Sequence, residues 1–289
     1  MNWIVFALGA ALLSSLAAIV NKEVLFKEHS TEFSATFALV IVLISLPMLP
    51  FVEFNLSLKI WFLIFSTAVF SAIGFLVIIK ALRHMDISIV SPLRNFGPAI
   101  LLIVAFFSLG EKIDPLQIFG ILMLILGAYV LEIDFKKHDI FEPLKHIWKS
   151  KYIHLIFISM ISYAISSVLG KYTLNFVNPS TLVFFEQIFV AVLFFVLLIV
   201  EFDGFHGVKH GIKKFGWLIV LAAVLTISYR LLQAEAMSIA SVSLVIPIKR
   251  LDTLFSTLIG GKILKERGIK IRVLACVIML LGATFIVIG

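Results

Sequence analysis

Apolar runs recur along the chain, separated by short polar stretches. A helix needs roughly 20 mostly apolar residues to cross a bilayer's hydrocarbon. The pattern predicts ten spans: 3–25, 33–52, 60–81, 87–109, 115–133, 152–174, 180–201, 216–236, 241–262 and 270–288. The stretch 134–151 (DFKKHDIFEPLKHIWKSK) between the fifth and sixth spans is charged. In it Ile140, Leu144, Ile147 and Trp148 fall at helical spacing, which suits an amphipathic helix lying in the interface. A solvated linker accounts for the same residues. The first span has no Lys or Arg before Lys22, so it lacks the positive leader of a cleavable signal and reads as a permanent helix.

The polar punctuation repeats. Pro92 pairs with Pro247, Glu111 with Glu266 and Gly127 with Gly282, each at an offset of 155 residues. Without a gap, ALRHMDISIVSPLRNFGPAILLIVAFFSLGEK (81–112) lies over AMSIASVSLVIPIKRLDTLFSTLIGGKILKER (236–267), and LGA at 126–128 meets LGA at 281–283. NK at 21–22 lies more loosely over GK at 170–171. Residues 1–133 and 152–289 are therefore expected to be two copies of one five-helix unit, joined by the 134–151 linker. Five is odd, so tandem copies enter the membrane in opposite orientations. Inverted repeats mark secondary transporters, with the substrate site near the midplane between the halves. The predicted fold class is thus an all-α integral membrane protein of two inverted five-helix repeats.

Composition agrees with lipid as the solvent: 61% of residues are hydrophobic and 14% charged, against about 25% charged in soluble domains. The net charge of +7 does not indicate nucleic-acid binding, because the basic residues sit in short loops between spans and form no basic domain. Cys276 is the one cysteine and lies in an apolar run, which excludes a disulfide framework and a Cys-rich metal site. The seven His residues show no metal spacing, and neither HExxH nor GxSxG occurs. No cofactor and no metal are expected, and a membrane-embedded enzyme acting on a lipid-linked substrate is disfavoured.

An ionised group at mid-bilayer costs roughly 3 kcal/mol, so it is kept where it faces a bundle interior or a wet cavity. Arg94, Glu186, Arg230, Lys249, Arg250 and Asp252 fall well inside spans. Lys80, Arg83, Lys171 and Glu235 lie near span ends and can snorkel. Arg94 stands two residues after Pro92, and Lys249 two after Pro247, so both copies place a cation at one equivalent site on the fourth helix. Pro92 and Pro247 each remove a backbone donor and open the helix locally, and Pro98 adds a further break. These three are the expected hinges. A wholly structural reading pairs Lys249 with Asp252 at i, i+3 and Glu186 with Arg230 or Arg94. Against it, four cations face two anions, and an uncompensated buried cation is costly unless an anion visits it.

Two five-helix copies, each ending in a P…E[KR]…LGA pattern (GEK in the first, KER in the second), resemble the drug/metabolite transporter superfamily, EamA type, over nearly the whole chain. The charges are also similar to those of plastid triose-phosphate-type translocators. There a basic residue four before a proline on the fourth helix, and a Lys-Arg pair on the ninth, hold the substrate phosphate. Here Arg94 stands four before Pro98 in RNFGP, and Lys249-Arg250 forms the pair in PIKRL. The first position is Arg where that group has Lys, and Glu186 and Arg230 have no counterpart in the pattern.

The resemblance implies a secondary carrier of a small anionic metabolite, phosphorylated in one version, working by alternating access in the cell (plasma or inner) membrane. Arg94, Lys249 and Arg250 are expected to clamp the anionic group, and Tyr229 and Arg230 to line the same cavity. Glu186 is expected as a counter-ion or a coupling carboxylate, and Asp252 as the group that orients Lys249 or Arg250. Gly97 and Gly74 are expected at close helix contacts. The alternative is an exporter of amino acids or drug-like amphiphiles, in which Glu186 meets an amine. The partners are the substrate and the bilayer, with the chain a monomer or homodimer.

Loop charge sets the expected orientation. The GEKID loop (110–114) carries one basic residue, whereas its counterpart 260–272 carries five. Lys22, Lys27, Lys80, Arg83, the 136–151 cluster, Lys209, Lys213 and Lys214 fall on the same side as those five. The positive-inside rule makes that side cytoplasmic and puts both termini outside. A compartment-sensitive reporter fused after Gly289 is expected to read extracytoplasmic; a cytoplasmic signal contradicts the predicted topology.

Overall fold

The structure is a computed structural model that describes residues 2–25, 30–85, 90, 93–132, 152–201, 206–264 and 269–289. Pro92, Glu266 and the 134–151 linker lie outside them. In hydrocarbon, backbone N–H and C=O groups must bond within the chain, which favours helices for these runs. Among the described residues all regular structure is helical. The first half holds α1 (Trp3–Leu25), α2 (Ser30–Ser45), α3 (Leu58–His84), α4 (Gly97–Leu109) and α5 (Pro115–Glu132). The second holds α6 (Ile153–Thr173), α7 (Pro179–Glu201), α8 (His206–Ile239), α9 (Val242–Lys249), α10 (Leu251–Leu264) and α11 (Ile269–Ile288). The α9–α10 pair makes one broken span, so the described helices form the ten predicted spans.

Two boundaries differ from the apolar pattern. The second span ends as α-helix at Ser45 and continues as a 3₁₀ turn over Leu46–Phe51. Pro47 and Pro50 lie in that turn and lack the N–H groups an α-helix would use. Helix α8 begins at His206, well before the apolar window opens near Gly216.

Packing follows an approximate two-fold relation between the halves. Helix α1 packs on α8 as α6 packs on α3; α2 packs on α8 as α7 packs on α3; α4 packs on α6 as the α9–α10 pair packs on α1. The fifth helices of the two halves meet directly. A Cβ added at Gly282 would lie 2.6 Å from the Gly120 carbonyl oxygen, and one at Gly127 would lie 2.9 Å from that of Ala275. These two contacts are images of one another, since Gly120 is offset by 155 from Ala275 and Gly127 from Gly282. As numbers rise on α5 they fall on α11: Gly120 faces Gly282 and Ile286, whereas Gly127 faces Ala275 and Met279. Equivalent helices thus run antiparallel, which is the inverted relation. Lipid gives no hydrophobic drive for helices to associate, so close backbone approach over small residues supplies the attraction through packing.

Polar clamps fix the corners. Glu111 accepts the N–H groups of Val242 (2.9 Å) and Ser243 (3.1 Å) at the amino end of α9. Lys171 donates to the carbonyls of Met237 (2.6 Å) and Ala240 (2.9 Å) at the carboxyl end of α8. A carboxylate at a helix amino end and an ammonium at a carboxyl end both oppose the helix dipole favourably. Lys171, near its helix end, spends its ammonium on carbonyls that have no partner within their helix. Asn178 caps α7 by accepting from the Thr181 N–H at 2.8 Å, and Thr181 Oγ1 accepts from the Glu53 N–H at 2.8 Å. The amino end of α7 is thereby tied to the α2–α3 connection.

Gly282→Ala is expected to lower the unfolding temperature in detergent by the equivalent of about 1–3 kcal/mol, because the helices must separate. Gly216→Ala is the control, since nothing lies within 4 Å of a Cβ placed there. Equal shifts for both variants contradict the close-contact account.

Candidate functional site

Both fourth spans tighten at equivalent places. The first turns at Asn95–Phe96, where the Phe96 N–H donates to the Leu93 carbonyl at 3.1 Å. The second turns at Arg250, whose N–H donates to the Pro247 carbonyl at 3.0 Å. Asn95 and Arg250 stand 155 residues apart. The prolines act differently from simple breaks. Pro247 lies inside α9, three residues before the turn. Pro98 occupies the second position of α4, where a missing N–H leaves no bond unmade, so it stands at the helix start that follows the Asn95–Phe96 turn.

The turns face a narrow cavity. Its wall is Arg94, Gly97 and Leu101 from the first fourth span, Ile246 and Arg250 from the second, and Ser159, Met160, Tyr163, Ala164 and Ser167 from α6. Among the described residues, the polar groups on this wall are two guanidiniums and three hydroxyls, with no carboxylate. Tyr163 lies within electrostatic reach of Arg94, Arg230, Tyr229 and Arg250. Its ring packs on Gly74, where an added Cβ would come within 3.2 Å. Ser159 donates to the Gly74 carbonyl at 2.8 Å and Ser166 to that of Thr67 at 3.0 Å, which locks α6 onto α3.

The remaining charges are paired beside the cavity. Glu186 accepts from Arg230 at 2.8 Å and is 8% exposed, so the expected counter-ion geometry is present with Arg230 as its partner. Lys249 is not on the cavity wall. Its Nζ stands 3.5 Å from Asp252 Oδ2 and 4.8 Å from the Tyr229 ring centre. Ser14 on α1 donates to the same Asp252 oxygen at 2.9 Å. Of the three cations expected to form a clamp, Arg94 and Arg250 share the cavity wall, and Lys249 lies off it against Tyr229 and Asp252.

Here the two halves differ in chemistry. Lys249 is the counterpart of Arg94, and Asp252 is the counterpart of Gly97. The second half carries its own carboxylate three residues after the cation. The first half has no side chain there, and a Cβ at Gly97 would stand 3.5 Å from the Arg250 guanidinium. Arg94 thus lacks the local carboxylate its counterpart has. Among the described residues Arg94 takes part in no ion pair.

Ser159, Tyr163 and Ser167 were not singled out from the sequence. Their spacing of four residues places them on one face of α6, a polar stripe in an otherwise apolar helix. Serines are ordinary in membrane helices, so the stripe gains meaning only once α6 is seen beside Arg94 and Arg250.

Comparison with known proteins bears on the whole chain. A solved crystal structure, described only as that of a protein, superimposes with a TM-score of 0.77 at 15% identity, covering 99% of this chain and 98% of the other. At that identity the likeness concerns fold alone. No curated protein matches. The EamA-like transporter family matches residues 1–133 and again 150–288. Two matches on one chain agree with the two inverted halves, and together they leave little of it uncovered: the protein is a multi-pass membrane transporter of the EamA-like family.

Proposed function

We propose that this transporter carries a small anionic metabolite, with a phosphorylated acid the favoured version, by alternating access between the inverted halves. The observation that carries this reading is the Gly97–Asp252 difference. It removes from the first half the carboxylate that would stand beside Arg94, on a cavity wall that Arg94 shares with Arg250. An uncompensated guanidinium away from water is costly, and an arriving anion relieves that cost. Guanidinium presents paired donors that match phosphate or carboxylate, so Arg94 and Arg250 supply orientation as well as charge. Tyr163 and Ser167 add neutral donors beside them. Arg230 and Tyr229 hold the wall's outer layer, Arg230 through Glu186 and Tyr229 beneath Lys249. The turns beside Pro98 and Pro247, and Pro92 by its equivalence to Pro247, are the proposed hinges.

A second reading has its own support. Leu101, Met160, Ala164 and Ile246 make one side of the cavity apolar. That side suits an amino acid or other amphiphile whose carboxylate meets the arginines.

A thermal-shift screen of purified protein separates the two. The panel contains phosphorylated three-carbon acids, dicarboxylates, sulfate and neutral amino acids. A ligand present at a hundred times its Kd adds about 2.7 kcal/mol of stability. Phosphorylated acids are expected to raise the unfolding temperature of the wild type, with the rise lost in Arg94→Ala and in Arg250→Ala. Stabilisation by amino acids alone supports the second reading. Stabilisation by anions that survives both substitutions overturns the cavity assignment.

A further inference from the structure

We propose that Asp252 couples transport to a proton: an anion arriving at the cavity draws Lys249 away from Asp252, and the freed carboxylate takes up one proton from water. This rests on the anion-carrier reading above.

Two carboxylates stand near the cavity, Glu186 buried and Asp252 half-buried, and their surroundings differ. Glu186 is held by Arg230 at 2.8 Å in a bond with good donor geometry. Asp252 is held more loosely. Its Oδ2 is shared between Ser14 at 2.9 Å and Lys249 at 3.5 Å. Its Oδ1 is buried and makes no hydrogen bond. A shielded carboxylate oxygen without a donor is an unmet acceptor, which is costly to leave unpaired. Asp252 is also the side chain that breaks the two-fold relation, since its counterpart is Gly97. It is therefore a feature of one half, and the repeat does not require it for packing.

The groups around Asp252 are few. Lys249 comes from α9, and Arg250 lies at the turn beside it. Helix α8 contributes Tyr229, which carries Lys249 on its ring, with Arg230 next in sequence and engaged by Glu186. Helix α1 contributes the neutral Ser14 and has no titratable residue from Trp3 to Val20. Helix α5 has Tyr129 as its one titratable residue from Pro115 to Leu131, and α11 has Cys276 from Val273 to Ile288. Lys249 is thus the group whose loss Asp252 would feel most.

The exchange balances. Lys249 keeps its proton and turns from Asp252 to the anion. The anions in question carry more than one negative charge, and the proton on Asp252 offsets one of them. The charge brought into the hydrocarbon, where uncompensated charge is most costly, is thereby reduced by one. Ser14 goes on donating to Oδ2, and the protonated Oδ1 becomes a donor where it was a starved acceptor. Release of the anion lets Lys249 return and expels the proton. Anion and proton cross together.

Sulfate is the probe, because it has no titrating proton near neutral pH. Its binding to the full-length purified protein is measured by calorimetry from acid to alkaline pH. Linkage of one proton to one anion makes the wild-type Kd rise about tenfold per pH unit above the transition. Asp252→Asn is expected to keep binding and lose the slope, Asp252→Glu to restore it, and Glu186→Gln to leave it in place. Infrared difference spectra with and without sulfate should show a protonated-carboxyl band that Asp252→Asn removes. Sulfate binding with a flat pH profile, or a slope and band that persist in Asp252→Asn, overturns the coupling while the carrier reading stands. No sulfate binding at any pH overturns the anion reading and the coupling with it.

Discussion

A charge held in hydrocarbon needs a counter-charge close by, and the interior of this protein is arranged around that constraint. Arg230 has Glu186. Lys249 has Asp252, three residues along its own span, with Ser14 completing the set. At the equivalent place in the first half the sequence puts Gly97 where Asp252 would stand, and Arg94 loses that compensation. The Arg250 guanidinium lies next to the same glycine. Arg94 and Arg250 thereby share one cavity wall.

The scaffold that holds this arrangement is symmetric where the site is not. Antiparallel α5 and α11 meet through Gly120, Gly127, Ala275 and Gly282, in contacts that the inverted relation maps onto each other. Glu111 and Lys171 bond the backbone groups on either side of the α8–α9 corner, so the second fourth span is positioned from outside itself. The tight turns at Asn95 and Arg250 then fall at equivalent positions and aim at a shared centre. The frame is thus symmetric while its charge pattern is not.

Much of this was legible in the sequence, for identifiable reasons. The spans follow from apolar length, and the inverted repeat from an odd helix count and a constant offset. Arg94, Lys249 and Arg250 stood out because charge inside a span is rare. What the pattern did not resolve was which charges neutralise which. Lys249 with Asp252 was one of the structural pairings, and Glu186 had two candidate partners. The α6 stripe of Ser159, Tyr163 and Ser167 was also missed, because hydroxyls in membrane helices are common and acquire a role only through the neighbours packed against them. Glu111 served as a marker of the repeat before its capping of α9 was visible. Pro98 read as a break and proved to be a helix start.

The central claim is that Arg94 and Arg250 form one anion site. It is tested most directly by locating a heavy anion in crystals of the protein. With selenate present, the account predicts an anomalous peak within hydrogen-bonding distance of both guanidiniums, absent from crystals of Arg94→Ala. A cavity without a peak, while selenate binds at Lys249 or on the basic loops, would contradict it.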